Sequence, residues 1–269
     1  MTSFRDLHVK GDPLLMINVW DAGIAKMMAA LGAKALATSS AAHAFILGRP
    51  DGGTVTRDEA LTHASEIAAA TNLPVQGDFE NGFGDDPETC AETVKLAAEA
   101  GLAGICIEDT MFPTGESYDH AVAVERIRAA AAAARTLPND FVLTARADGM
   151  LAGTYGLGAA IDRIKDFDAA GADCLYVPMP RDLSGLEQIV AATAKPVNAL
   201  VAGAFAQSSA AEFASIGVAR LSIGSALARV VQKSIHEMGQ AMLTGDFAAL
   251  QHGLPSHLVD EMLRSTGPE

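Results

Sequence analysis

The sequence predicts an α/β chain folded as one (β/α)8 barrel domain over residues 1–269. Three observations carry that expectation. Eight short apolar runs alternate with longer amphipathic stretches. Several of the stretches close on a glycine set directly before the next run, at Gly32, Gly101, Gly171 and Gly217. The length, 269 residues, suits a barrel of about 250.

The elements follow in order. Residues 14–18, LLMIN, form the first run, and residues 35–38 the second. Residues 57–70 have a helical pattern and lead to the third run, 74–78. Asp85-Asp86-Pro87-Glu88 is a helix start: an aspartate N-cap, proline at the first helical position and an acid in the first turn. The helix it opens, 87–100, precedes the fourth run, 104–108. Helix 121–136 leads to run 141–146, and helix 157–170 to run 174–177. Runs 196–198 and 220–223 complete the set. The expected barrel covers about 14–230, with a helical extension over 231–269. Val230, Val231, Ile235, Met238, Met242 and Leu243 supply apolar positions along that tail. A dinucleotide fold would place a Gly-rich phosphate turn after the first run. Asn18-Val-Trp-Asp-Ala-Gly23 stands there instead, which puts a dinucleotide-dependent oxidoreductase last among the readings.

Composition narrows the partners. The net charge is −14, so a phosphate-backbone ligand is excluded and no nucleic acid is expected. An anionic substrate would need a local cation. Hydrophobic residues make up 49% and aromatics 5%, so the core is mostly aliphatic and suits close helix-on-strand packing. No run is long enough to span a membrane, and the N-terminus lacks an apolar signal core. Cys90, Cys106 and Cys174 are far apart and form no CxxC pair, as expected of buried free thiols in a cytoplasmic protein.

In a barrel of this class the chemistry sits where the strands end. Those ends read Asn18 and Asp21, Ser39 and Ser40, Asp78 and Glu80, Glu108 and Asp109, Arg146 and Asp148, then Asn198. The stretch QGDFENGFGDDPE holds five acids and no base. Asp78 and Glu80 are two apart, so an extended chain would turn both to one side. Paired carboxylates of that kind suit a hard divalent cation such as Mg²⁺. The bland alternative is a solvated turn. Glu108 on the neighbouring strand end and Arg146 beyond it favour a divalent metal facing an anionic substrate.

These pieces, in order, are NVWDAGIAKMMAALGAKALATSSAA, LGRPDGGTVTRDE, GDFENGFGDDPE, GICIEDTMFP, LTARADGMLAG, KPVNAL and LSIGSAL. Together they resemble the isocitrate lyase/phosphoenolpyruvate mutase superfamily, from about Asn18 to Arg229. The resemblance implies a modified (β/α)8 TIM barrel whose last helix is exchanged between subunits of a homo-oligomer, a tetramer or a dimer. It implies Mg²⁺, with Mn²⁺ as an alternative, and cleavage or formation of C–C or P–C bonds beside a 2-oxo acid or its enolate. By position, Asp78, Glu80, Glu108 and Asp51 match acids that hold the metal or its waters. Ser39 and Ser40 match a carboxylate-binding turn, Arg146 an arginine on the substrate's anionic end, and Asn198 a polar substrate contact. Trp20 and His43 are further candidates for the substrate side, and Arg146, Ser39, Ser40 and Asp51 for catalysis.

Two departures limit the reaction. The loop after Glu108 reads Asp-Thr-Met-Phe-Pro-Thr-Gly-Glu-Ser117, without the Lys-Lys-Cys-Gly-His type motif of the family's lyases. Thr110 stands where the P–C enzymes carry lysine. Glu116, Ser117, Tyr118 and His120 are the loop's remaining proton-donor candidates. The expectation is a Mg²⁺-dependent lyase of a small 2-oxo or 2-hydroxy carboxylate, working by retro-aldol cleavage or decarboxylation. A phosphonopyruvate-type hydrolase or mutase and a non-catalytic metabolite-binding barrel are the rivals.

Overall fold

A computed structural model of the chain describes residues 3–264. The eight predicted runs are the eight strands of one closed, parallel barrel, in sequence order. They are β1 (Leu14–Asn18), β2 (Leu36–Ala37), β3 (Val75–Asp78), β4 (Gly104–Glu108), β5 (Val142–Arg146), β6 (Cys174–Tyr176), β7 (Val197–Leu200) and β8 (Arg220–Ser222). The predicted strands are right in place and within two residues at their ends, where tertiary hydrogen bonds rather than side chains set the limit.

The helices follow the same alternation. They are α1 (Ala22–Ala30), α2 (Ser40–Ile46), α3 (Arg57–Ala70), α4 (Pro87–Glu99), α5 (His120–Arg135), α6 (Gly149–Ala152), α7 (Leu157–Ala170), α8 (Leu183–Ala191), α9 (Ala210–Ser215), α10 (Ala226–Leu243) and α11 (Ser256–Arg264). Gly171 shows why glycine ends them. Its φ is 105°, and an added Cβ would sit 3.1 Å from that of Ala131 on α5. α5 buries Ala130, Ala131, Ala133 and Ala134, and these small side chains let α4 and α7 pack closely beside it.

The barrel interior holds a polar layer. Arg220 is 1% exposed, with no carboxylate within 4.0 Å among the described residues. Its Nε donates to Asn198 Oδ1 at 2.8 Å and its Nη1 to Gln76 Oε1 at 2.6 Å. Neutral amide oxygens thus satisfy a buried cation. β8 also closes on β1 through Asn18, whose Oδ1 accepts from the amides of Ile223 and Gly224 at 2.9 and 2.8 Å.

The predicted barrel boundary at 230 falls inside α10, which begins directly after β8 and runs on to Leu243. α10 buries only Ala228 and exposes Val230, Val231, Ile235 and Leu243. The chain then returns, and α11 packs against α1. Residues 265–269 of the expected tail lie outside the described residues. Where an eighth helix would cover β1, the outward-facing Leu15 stays 52% exposed. It opens into a groove of about 580 Å³ that Met28 and Leu31 also line. No described helix is long and apolar enough to cross a membrane. The three cysteines are free and buried.

Candidate active site at the barrel rim

Asp51, Asp78, Glu80, Glu108, Arg146 and Asp148 line one cavity of about 230 Å³ at the C-terminal ends of the strands. Ser39 and Ser40 line it too. Each arrives by a simple route. Asp78, Glu108 and Arg146 are the last residues of β3, β4 and β5. Asp51 comes from the loop after α2.

Glu80 reaches the cavity differently from the sequence expectation. The strand stops at Asp78, and Glu80 sits in a left-handed turn with φ 45°. Phe79 is buried in the core between them, so a turn, not strand alternation, brings the two carboxylates together. A non-glycine residue in that region is uncommon and costs about 1–3 kcal/mol, which the surroundings must offset. One hydrogen bond holds the Glu80 side chain and one its backbone. Gly53 N donates to Glu80 Oε1 at 3.1 Å, and Glu108 N donates to the Glu80 carbonyl at 2.9 Å.

Ser39 caps α2 by accepting from Ala42 N at 3.3 Å. Ser40 does something else. Its amide and its hydroxyl both donate to Asp78 Oδ2, at 2.9 and 2.8 Å. The turn therefore already binds a carboxylate oxygen.

Charge in the cavity is unbalanced. Arg146 is its single cation, and Nη1 stands 3.0 Å from Glu108 and 4.0 Å from Asp78. Its Nε donates to Asp148 Oδ1. Asp51 and Glu80 have no cation within 4.0 Å among the described residues. Burial, with Asp78 and Asp51 alongside, pushes Glu80 up to about 7 against the pull of the Gly53 amide. Burial also raises Glu108 well above the usual carboxylate range, although Arg146 opposes it.

Clustered carboxylates short of a cation suit a divalent metal. Among the described residues no three His, Cys, Asp or Glu side chains converge as a ready-made ligand set. Mg²⁺ keeps several waters and takes only one or two carboxylates directly, so it needs no such set. Oxygen donors alone around a roomy cavity fit that habit.

Three predicted substrate residues lie elsewhere. Trp20 is 9% exposed and packs with Ala42 and Ala228. His43 stacks on His63, ring centroids 3.8 Å apart, in an adjoining cleft that Ser39, Ser40, Asp78 and Glu80 also line. Burial and the neighbouring His63 lower its pKa to about 4. Asn198 faces the barrel interior, where its Nδ2 donates to Ser222 at 2.9 Å and its Oδ1 holds Arg220. A residue's place one step before or after a strand end decides whether it meets the cavity, the core or the interior.

The proton-donor candidates on the loop after β4 do not line the cavity. Tyr118 is buried and donates to Asp85 at 2.6 Å. Asp85 is thus engaged by the loop, and Asp86 caps α4 without a side-chain hydrogen bond. His120 pairs with Asp166 at 3.0 Å, and Ser117 with Thr154 at 2.5 Å. Glu116 is exposed and does not line the cavity. The residues that do line it are Thr110 and Phe112. Phe112 packs on the loop after α2, where an added Cβ on Gly53 would meet it at 2.7 Å.

Reasoning from sequence missed the network behind the site. Asp109 accepts from Asp148 N at 2.7 Å, from Tyr155 at 2.7 Å and from Arg163 at 3.0 Å. Arg163 also donates to the Tyr118 carbonyl at 2.8 Å. The spacing of Asp109 beside Glu108 was a signal; the arginine on α7 had none.

Comparison with known proteins gives the family. The family model described as phosphoenolpyruvate phosphomutase matches residues 4–243. The 2-methylisocitrate lyase of Escherichia coli (strain K12) is 34% identical over 72% of this chain and 67% of its own. The oxaloacetate decarboxylase of Paraburkholderia xenovorans (strain LB400) is 29% identical over 98% of this chain and 88% of its own. A provisionally described lyase/mutase from Burkholderia cenocepacia J2315 superposes with a TM-score of 0.93. It is 40% identical and covers 98% of this chain and 95% of its own. The chain belongs to the phosphoenolpyruvate phosphomutase family, within the isocitrate lyase/PEP mutase superfamily, and is an enzyme of its carbon–carbon lyase kind.

Proposed function

We propose that this enzyme cleaves a C–C bond of a small 2-oxo or 2-hydroxy carboxylate with Mg²⁺ as cofactor, Mn²⁺ being the alternative. The observation that carries the reading is the rim cavity, where Asp51, Asp78, Glu80 and Glu108 surround a turn that already holds a carboxylate oxygen. The acids Asp51, Asp78, Glu80 and Glu108 would hold the metal and its waters. When bound, the metal supplies Lewis-acid stabilisation of the enolate charge left by bond cleavage. The Ser40 amide and hydroxyl are placed to bind the substrate's carboxylate in place of Asp78. Arg146, fixed by Glu108 and Asp148, orients the anionic end. Phe112, packed on Gly52 and Gly53, would help to exclude water from the cavity.

The test is a screen of 2-oxo and 2-hydroxy acids and phosphonopyruvate, with pyruvate and phosphate both measured. We expect pyruvate without phosphate, abolished by EDTA and restored by Mg²⁺. Phosphate release would establish the P–C rival, which the family match favours and Thr110 disfavours. Binding of oxalate without any turnover would favour a binding barrel.

The same reading includes a homo-oligomer built by exchange of α10. The exposed apolar side of α10 and the bare wall at Leu15 support it, because each lacks the partner the other could supply. Light scattering should give a tetramer or a dimer, and Leu15→Asp should lower the mass. A monomeric wild-type chain would end this part of the reading.

A further inference from the structure

The cavity has two unlike sides. The acids and Arg146 come from the ends and loops of β2 to β5. From the ends of β5, β6 and β7 come Leu151, Tyr176 and Leu200. Leu151, on α6, is 49% exposed at the mouth. Phe112 closes over from the loop after β4.

No second cation waits on the apolar side. Among the described residues Arg146 is the only lysine or arginine lining the cavity, and Glu108 and Asp148 already hold it. Arg220 lines an adjoining void, together with Asp78, Arg146 and Tyr176, and is bound to Asn198 and Gln76. The amide of Asn198 is therefore turned away, and β7 presents Leu200 to the cavity instead.

A substrate with one carboxylate can be met here. Its 2-oxo carboxylate end belongs with Ser40, Arg146 and the acids. A second carboxylate would lie against Leu151, Leu200 and Phe112, without a cation, among five acids, Asp51, Asp78, Glu80, Glu108 and Asp148. We infer that the substrate is a monocarboxylate: a 4-hydroxy-2-oxo acid whose far end is a small uncharged alkyl group. This rests on the proposed metal-assisted lyase reading and narrows it to retro-aldol cleavage rather than decarboxylation of a diacid.

The step balances without a further reactant. The C3–C4 bond breaks and its electron pair stays on C3, giving the enolate of pyruvate. The proton of the C4 hydroxyl leaves as C4 becomes an aldehyde. A proton added at C3 completes pyruvate, so the products are pyruvate and one aldehyde, with no net oxidation.

The experiment uses the full chain with Mg²⁺. Bound oxalate is displaced, in a calorimeter, by 2-oxopentanoate or by 2-oxoglutarate, which have the same carbon count and differ in a terminal methyl against a carboxylate. We expect 2-oxopentanoate to bind at least about tenfold more tightly. Pyruvate release from 4-hydroxy-2-oxopentanoate should exceed that from 4-hydroxy-2-oxoglutarate by a similar factor. Leu151→Arg, at a half-exposed position that tolerates a long side chain, should narrow or invert both preferences. Equal or tighter binding of 2-oxoglutarate to the wild type overturns the inference and leaves the metal-assisted reading standing. Failure of oxalate to bind in the presence of Mg²⁺ removes that reading, and the inference with it.

Discussion

Asp78→Ala is expected to lower pyruvate-releasing turnover by on the order of 10³-fold, while the barrel stays folded. Its carboxylate is the one the Ser40 turn holds, and it borders both Arg146 and the neighbouring acids. Its removal would take away a proposed metal contact and leave an amide and a hydroxyl unpaired at the rim, where water can replace the lost acceptor. Stability should therefore change little. Circular dichroism and thermal melting check the fold, and a coupled pyruvate assay checks the rate. Activity within tenfold of wild type would remove Asp78 from the metal site.

Arg163→Leu should act on stability. The guanidinium is the cation beside Asp109, which is 3% exposed. Leucine would leave that carboxylate buried with only the Tyr155 hydroxyl and the Asp148 amide as partners. Breaking one side of a buried pair costs roughly 3–5 kcal/mol. Urea denaturation should show that loss. Adding Asp109→Asn should recover part of it, because the stranded charge is then gone. A change below about 1 kcal/mol in the single variant would show that Asp109 is not held by Arg163. Turnover should fall as well, since Asp109 sets the backbone of Asp148 and Asp148 holds Arg146.

The strands were legible because parallel strands covered on both faces must be continuous apolar runs. The acids of the site were legible because they stand where those runs stop, and a barrel rim gathers such ends in space. What followed the ends was harder. Phe79 and Glu80 differ in fate because of one left-handed turn, which no residue type announced. Trp20 sits as close to a strand end as Ser40 does, and His43 lies one helical turn beyond Ser40, yet packing claims both. Asn198 ends its predicted run, but β7 continues to Leu200, so the polar group lies a layer below the rim. Leu151, Leu200 and Phe112 carried no signal, because an apolar side chain in a cavity wall looks the same in sequence as one in the interior. Arg126 and Arg163 lie on helices that otherwise read as amphipathic, and both are buried by contacts with distant loops.

The seam between β1 and β8 has a consequence for biosynthesis. Leu14 pairs with Arg220, so the first strand finds its second neighbour only after some two hundred further residues have been made. At translation rates of about 5–20 residues per second, β1 waits on the order of ten seconds or more with that edge open. An open parallel edge is a template for pairing with other chains. The clasp of Asn18 on Ile223 and Gly224 then locks the seam at the last strand to emerge. Premature release of a chain lacking its final fifty residues would thus yield an open, sticky sheet and not a smaller barrel.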